Sequence, residues 1–234
     1  MGKWCQPNYN SVVATFCHNI ANDIPIKIND PEKELSLIYI DDLIIEITNI
    51  IRGENNETEI YEVKPVYKVT LKELAEKLYS FKESRVSLTV DEVGSGITRA
   101  LYATYLSYLK EEEFSYKIPE YNDERGRFAE LLKTKSSGQF SYFTSKPGVT
   151  RGKHYHHTKS EKFMVVSGEA EFKFRHILTG KEHKVNVDSQ NPLIVETIPG
   201  WAHQITNTGD NELVVFLWAN EIFDRNNPDT YGIN

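Results

Sequence analysis

Apolar residues in the first half of the chain recur at intervals of three and four positions, which places them on one face of an α-helix. Asn10 or Ser11 is suited to cap the first such helix, and Thr70 with Glu73 forms a capping box ahead of another. The pattern predicts helices over about residues 12–20, 41–51, 71–81 and 98–110. Two strand-like runs lie between them, Leu35–Ile40 and Ile60–Val66.

After about residue 127 the pattern changes to short apolar runs separated by turn residues. A short helix is predicted over Arg127–Lys133, ahead of a series of strands. The strand-like runs are Gln139–Thr144, Lys162–Val166, Glu169–Ile177, Lys184–Val187, Ile194–Ile198 and Leu213–Ala219. This regular spacing predicts a jelly-roll barrel. Because the acidic run Glu111–Glu113 is typical of a solvated connector, we predict an α+β unit over residues 1–117 and an all-β unit over 118–234.

Composition indicates a folded protein and not a disordered one. Hydrophobic residues make up 39% of the chain and aromatic residues 12%, which suffices for packed cores. The net charge is −7 and no basic stripe is present, so nucleic acid is not expected as a partner. No apolar run approaches the ~20 residues of a membrane span, and no signal peptide is visible. Two cysteines, Cys5 and Cys17, fit a reduced, cytoplasmic protein.

The segment GVTRGKHYHHTKSEKFMVVSG, residues 148–168, carries a candidate metal site. His154 and His156 project to the same face of a strand, because side chains alternate with period 2. Glu161 follows after a short turn and is expected to return on the neighbouring strand, while His203 lies in PGWAHQITN. Metal-binding cupins use this spacing. Imidazoles with one carboxylate suit a divalent metal; we favour zinc, with nickel or iron as alternatives.

Long stretches of the second half resemble one enzyme family. GQFSYFTSKPGVTRGKHYHHTKSEKF, VETIPGWAHQITN and LWANEIFDRNNPDTY are similar to the cupin domain of the CapF family of capsular-polysaccharide enzymes. The front segments GKWCQPNYNSVVATFCHNIANDIPI and LSLIYIDDLI resemble the substrate-binding part of that family's short-chain dehydrogenase domain. The resemblance implies an α+β remnant of a short-chain dehydrogenase followed by an all-β cupin jelly-roll barrel.

The same resemblance implies a function in sugar-nucleotide chemistry. The family is a UDP-sugar reductase and epimerase on the route to UDP-N-acetyl-L-fucosamine. Its cupin half is expected to invert C3 of a UDP-4-keto-6-deoxy-N-acetylhexosamine, with His154, His156, Glu161 and His203 holding the metal. The reductase half needs a Gly-rich phosphate loop and a Tyr-x-x-x-Lys pair, and the chain has neither. We therefore expect the rear portion of such an enzyme, with no NADPH and no reductase activity.

The groups that move protons are harder to assign from the residues. His157 adjoins the ligands but faces the other side of the strand, and Tyr142 comes from an aromatic strand, QFSYF, that is expected to line the barrel. Lys153 and His183 are further candidates for the catalytic base.

Substrate contacts are expected from Arg151 and Trp201. RGKHY is similar to the RG-x-HY segment of metal-free deoxysugar epimerases, in which the arginine binds substrate and the histidine is the base. On that analogy His154 could be a base instead of a ligand, although the full ligand set favours metal. Trp201, beside His203, is expected to shape the barrel mouth.

Two other functions stay open at this point. One is a cupin that binds a sugar nucleotide without catalysis, or that assists assembly with a separate reductase chain. The other is an oxygenase of the metal cupin type. Because cupin barrels commonly pair, we expect a homodimer.

Overall fold

The computed structural model describes residues 1–53 and 62–233 of the chain. These residues form two compact units, Met1–Tyr116 and Lys117–Asn234. The division falls one residue before the predicted boundary. Each unit is described by itself.

The N-terminal unit is mainly helical. In chain order its elements are α1 (Val12–Ala21), β1 (Glu34–Leu37), α2 (Ile40–Ile51), β2 (Tyr67–Thr70), α3 (Leu71–Ser87), β3 (Thr89–Val90), α4 (Gly96–Leu106) and a 3-10 turn (Glu111–Glu113). β1 and β2 pair antiparallel. The four predicted helices are confirmed. The strand predicted at Ile60–Val66 lies partly outside the described residues, and the observed strand begins only at Tyr67.

Helix caps follow the predicted chemistry. The Ser11 hydroxyl accepts a hydrogen bond from the Ala14 amide at 3.2 Å, which fixes the start of α1. At α3 the capping box is complete: the Thr70 amide donates to Glu73 Oε2 at 2.8 Å, and the Glu73 amide donates to Thr70 Oγ1 at 3.2 Å. Helices α1, α3 and α4 bury a common core, whose largest members are Phe16, Ile20, Leu74, Leu78, Phe81, Leu101 and Tyr105.

The C-terminal unit consists of strands. They are β4 (Glu120–Asp123), β5 (Gly126–Thr134), β6 (Gly138–Ser145), β7 (Thr150–Tyr155), β8 (Glu161–Ser167), β9 (Glu169–His176), β10 (Glu182–Asp188), β11 (Val195–Glu196), β12 (Trp201–Asn207), β13 (Leu213–Ala219) and β14 (Tyr231–Gly232). One sheet has the order β10-β9-β12-β7-β14, and the other β11-β8-β13-β6-β5, with β4 pairing with β5.

The inner faces of the two sheets share one hydrophobic core. Phe143 and Phe163 from one sheet pack with Phe172 and Ile205 from the other. All the strand pairs within this unit are antiparallel. The predicted all-β second half is confirmed, and this arrangement of facing sheets is the one that a jelly-roll cupin requires.

The helix predicted over Arg127–Lys133 is wrong, because these residues belong to β5. Phe128 pairs with Tyr121 of β4 on one side and with Phe143 of β6 on the other. Two hydrogen-bonded ladders outweigh the local helix preference of FAELLK.

Among the residues that the structure describes, no helix is both long enough and apolar enough for a membrane span.

Candidate metal centre

A β-bulge in β7 determines which side chains of this strand face the site. His154 pairs with His203 of β12 and Gly152 pairs with Gln204, so Lys153 is an extra residue without a partner in the ladder. In a regular strand, residues 151 and 154 point to opposite faces. The extra residue brings Arg151 and His154 to the same small cavity inside the barrel.

Gly152 is needed at this bulge for two reasons. Its φ is +93°, a backbone conformation that residues other than glycine rarely adopt. A Cβ atom added there would also lie 2.8 Å from the carbonyl oxygen of His203. The bulge therefore depends on close contact between the backbones of β7 and β12.

Three imidazoles and one carboxylate converge at the inner face of the barrel. The ligand atoms of His154, His156, Glu161 and His203 all lie within 4.8 Å of one another. The Nε2 atoms of His156 and His203 are 3.1 and 3.3 Å from Glu161 Oε2. Ligand atoms of a tetrahedral site with bonds of ~2.1 Å are ~3.4 Å apart, which is close to these spacings.

The four residues come from both sheets. His154 lies on β7 and His203 on the adjacent β12, while His156 follows the end of β7. Glu161 is the first residue of β8, in the facing sheet. The expectation that Glu161 returns on the strand next to β7 is wrong, because the turn after His156 crosses the barrel from one sheet to the other.

Electrostatics keep His154 and Glu161 in the protonation states that metal ligands need. Burial, and next the charge of His203, lower the pKa of His154 to about 4, so its ring is neutral at pH 7. Burial opposes ionisation of Glu161, but hydrogen bonds from His156 and His203 and the charge of Lys159 outweigh it and lower the pKa of this carboxyl. A neutral imidazole and an ionised carboxylate both carry free lone pairs.

The residues present fit a divalent metal. His156, Glu161 and His203 are buried and His154 is half-buried. Within the described residues the buried Nδ1 atom of His203 has no hydrogen-bond partner, which indicates that this polar pocket is incomplete without a further group. A set of three histidines and one carboxylate suits zinc, nickel or iron; a six-coordinate metal would keep two positions open, and zinc would have to expand beyond four ligands to bind a substrate oxygen.

A cleft of about 850 Å³ gives access to this centre. Its size is that of a small-molecule binding site. Arg151, His154, Lys159 and Glu161 line it together, and aromatic and acidic side chains form its outer walls.

Arg151 lies in this cleft and does not use all of its hydrogen-bond donors. Its Nε donates to the Thr144 carbonyl at 3.1 Å, and its guanidinium lies 5.4 Å from the Phe143 ring centroid. One terminal nitrogen is buried without a hydrogen-bond partner among the described residues; the nearest carboxylate oxygen, of Asp123, is 3.8 Å away. This nitrogen is available to a ligand.

Lys159 is a functional candidate that sequence reasoning missed. It is buried, and its Nζ lies 3.5 Å from Glu161 Oε1 and 3.2 Å from Thr230 Oγ1. The sequence contains one signal for it: Lys159 sits between the ligands His156 and Glu161, in a segment interpreted only as a turn.

Tyr142 lies outside the cleft. Its hydroxyl donates to Glu120 Oε1 at 2.8 Å, and it occupies the face of β6 opposite to Phe143, which packs in the core. The prediction that Tyr142 lines the barrel is therefore wrong, because alternation along β6 points Phe143 inward in its place.

Two more of the predicted proton carriers, Lys153 and His157, also lie away from the cleft. Lys153 is the exposed residue of the bulge. His157 is exposed, and its ring contacts Tyr155 and Tyr231 with centroid distances of 5.4 and 4.7 Å. A role in proton transfer stays a prediction for these side chains, and their positions do not favour it.

Trp201 lines a different cavity. Together with His183 and Phe174 it borders a pocket of about 430 Å³ that contains none of the four ligand residues. Trp201 therefore lies outside the cleft that reaches the ligands, and its expected role beside His203 stays a prediction. His183 lines the same pocket as Trp201 and not the cleft.

Comparisons with known proteins agree with this architecture. Residues 121–231 match the polysaccharide biosynthesis C-terminal domain family. The chain is 56% identical over 231 residues to UDP-2-acetamido-2,6-beta-L-arabino-hexul-4-ose reductase of Pseudomonas aeruginosa, covering 99% of the chain and 62% of that relative. It is 25% identical over 123 residues to the spore coat polysaccharide biosynthesis protein SpsL of Bacillus subtilis, covering 48% of the chain and 82% of SpsL.

A solved structure covers both units. The crystal structure of the capsular polysaccharide assembling protein CapF from Staphylococcus aureus matches with a TM-score of 0.95 and 45% identity, over the whole of this chain and 68% of that one. The chain thus spans about two thirds of the length of these longer relatives. At this identity and coverage, the chain belongs to the CapF family of capsular-polysaccharide biosynthesis proteins.

Proposed function

We propose that the C-terminal unit is a metal-dependent sugar-nucleotide epimerase that inverts C3 of a UDP-4-keto-6-deoxy-N-acetylhexosamine in capsule synthesis. The observation that carries this proposal is the convergence of His154, His156, Glu161 and His203, of which His154 and Glu161 line a cleft together with Arg151. The Pseudomonas relative is named for a UDP-linked hexul-4-ose, which is a 4-keto sugar of the proposed class.

The chemistry of such a substrate suits this site. A proton on C3 of a 4-keto sugar becomes removable when negative charge on the ketone oxygen is stabilised. A divalent cation held by the four ligands supplies Lewis acidity for this purpose. Removal of one proton and its return to the opposite face leaves the composition of the sugar unchanged, so the step needs no hydride donor.

Protein side chains bind the substrate and place charge at the site. The free terminal nitrogen of Arg151 binds an oxygen of the sugar nucleotide, and Lys159 holds positive charge beside Glu161. Phe163, Phe172 and Ile205 wall the inner cavity and exclude water, which strengthens these interactions. The dehydrogenase origin of the N-terminal unit stays a prediction.

Proton exchange in D₂O tests the proposal. NMR of the UDP-4-keto-6-deoxy sugar is recorded with the zinc-loaded chain, without NADPH, and again after chelation. We expect deuterium at C3 only with metal present. The His154→Ala variant should lose exchange, while His183→Ala, a histidine outside the centre, should keep it. Exchange that survives chelation would make His154 a base, and no exchange with zinc bound would leave a binding role.

One observation favours a second function, assembly with a separate reductase. Helix α2 buries no residue and exposes a row of isoleucines. These are Ile44, Ile45, Ile47, Ile50 and Ile51. Exposed apolar rows of this kind mark interaction surfaces. Calorimetric titration with the remaining third of the Pseudomonas relative, with and without Ile45→Lys, measures this association.

A further inference from the structure

Asp229 is hydrogen-bonded to the turn that joins two of the proposed metal ligands. This ligand turn, residues 157–160, runs from the residue after His156 to the residue before Glu161. The Asp229 carboxylate accepts hydrogen bonds from three successive amides of the turn, those of residues 157, 158 and 159, at 2.9, 2.7 and 2.8 Å. The Thr158 hydroxyl donates to it as well, at 3.0 Å.

The same residue contacts a metal ligand directly. The main-chain carbonyl oxygen of Asp229 is hydrogen-bonded to Nδ1 of His156. A carbonyl oxygen only accepts, so Nδ1 carries a proton. Nε2 faces Glu161 Oε2, at 3.1 Å. Asp229 therefore holds Nδ1 in its protonated form and leaves Nε2 as the nitrogen that would bind a metal, in place of its contact with Glu161.

The neighbours of Asp229 hold the same region. Tyr231 and Gly232 form β14, which pairs with Tyr155 and His154 of β7. Since β14 extends the ladder of the strand that carries His154, the position of Asp229 is fixed relative to the ligands by backbone pairing.

We propose that Asp229 is a positioning residue of the metal centre: its carbonyl orients His156, and its carboxylate sets the ligand turn so that His156 and Glu161 converge. This inference rests on the proposed metal-dependent function. Hydrogen-bond partners of metal-bound histidines fix ring orientation, and their loss weakens metal binding by ~10–100-fold.

The chain offers a matched control for a purely structural role. Asp188 also receives two backbone amides, from Gln190 and Asn191, both at 2.8 Å. It ends β10, which contributes none of the metal ligands. An Asp→Asn change at either position replaces one carboxylate oxygen by an amide group that cannot accept these bonds.

Zinc affinity separates the two roles. The full chain and its Asp229→Asn and Asp188→Asn variants are stripped of metal and titrated with zinc in competition with a chromophoric chelator. We expect Asp229→Asn, which loosens the ligand turn and with it the carbonyl that orients His156, to weaken zinc binding by about 10–100-fold. Asp188→Asn should leave zinc affinity unchanged, while the unfolding temperature of the metal-free protein falls in both variants. Equal zinc affinity of the two variants would overturn the proposal for Asp229 alone. Failure of the unmodified chain to bind zinc would overturn the proposed function and this inference with it.

A second measurement needs no variant, should Asp229→Asn fail to fold. Nitrogen-15 NMR of the metal-free chain reports the tautomer of His156 through its two-bond couplings. We expect the proton on Nδ1. A proton found on Nε2 instead would overturn the proposal.

Discussion

Glu161 shows how a buried carboxylate is kept charged at the centre. One of its oxygens faces the Nε2 atoms of His156 and His203, and the other faces the ammonium group of Lys159. A buried charge without partners is strongly unfavourable, whereas this carboxylate has partners on both oxygens. Lys159 thus acts on the centre through Glu161 while also lining the cleft.

The Lys159→Met variant tests this charge at the residue scale. Loss of a buried ammonium group removes positive charge where the substrate ketone gains negative charge, so we expect the rate of C3 exchange to fall by about 100-fold. Lys162→Met is the control, because Lys162 forms an exposed pair with Glu196 and does not line the cleft. The measurement is C3 deuterium incorporation by NMR. Equal rates in the two variants would contradict a role for Lys159.

At this scale the sequence predicts ligands better than it predicts their surroundings. His154 and His156 share a face by alternation along one strand, a purely local rule. Lys159 and Asp229 escape prediction because their contacts depend on the course of the chain through three dimensions; Asp229 and His156 are 73 residues apart in sequence. The prediction of Tyr142 inside the barrel fails because an error of one residue in the alternation along a strand assigns every side chain to the wrong face.

At the scale of the element, the bulge in β7 does what a regular strand cannot. It adds one residue between Arg151 and His154 and so directs both toward the interior. Bulges of this kind recur next to functional sites, where they re-aim side chains. The site therefore needs an irregular strand, with Gly152 as the residue that permits it.

The Gly152→Ala variant tests this requirement. We expect zinc affinity to fall by at least 10-fold, because the added Cβ atom would press on the His203 carbonyl and displace a ligand strand. Gly180→Ala is the control: Gly180 has a φ of +70° with open space around its Cβ position, so only backbone strain of about 1 kcal/mol results. Chelator competition measures zinc affinity, and urea unfolding measures stability. If both variants bind zinc like the unmodified chain, the bulge is not required.

Elements were predictable where local signals acted alone. The capping box at Thr70 and Glu73 marks the start of α3 in sequence and in structure. The stretch Arg127–Lys133 was misassigned because its apolar spacing also fits a helix, and only pairing with β4 and β6 decides for a strand. The bulge at Lys153 has no signal in local periodicity, since it is defined by its partner strand.

At the scale of the whole molecule, each unit has its own core and the metal ligands all belong to the second. Bound metal stabilises only the state that holds its ligands together. We therefore expect bound metal to stabilise the C-terminal unit.

Metal removal tests this stabilisation. With free zinc at 100 times Kd, we expect a stabilisation of about 2.7 kcal/mol, which raises the Tm of the C-terminal unit by roughly 10 °C. Scanning calorimetry with and without chelator should show a transition that moves. In His203→Ala no transition should respond to chelator. An unmodified chain whose transitions all stay in place after chelation would contradict a metal centre in this unit.

The hydrogen bond between Asp229 and His156 has a consequence for protein synthesis. His154 and His156 leave the ribosome before the residue that orients His156 has been added. At ~5–20 residues per second, the 73 residues between them take roughly 4–15 s to translate. During that interval a nascent chain carries imidazoles that are not yet oriented, so metal selection in the cell is expected to follow translation of this segment.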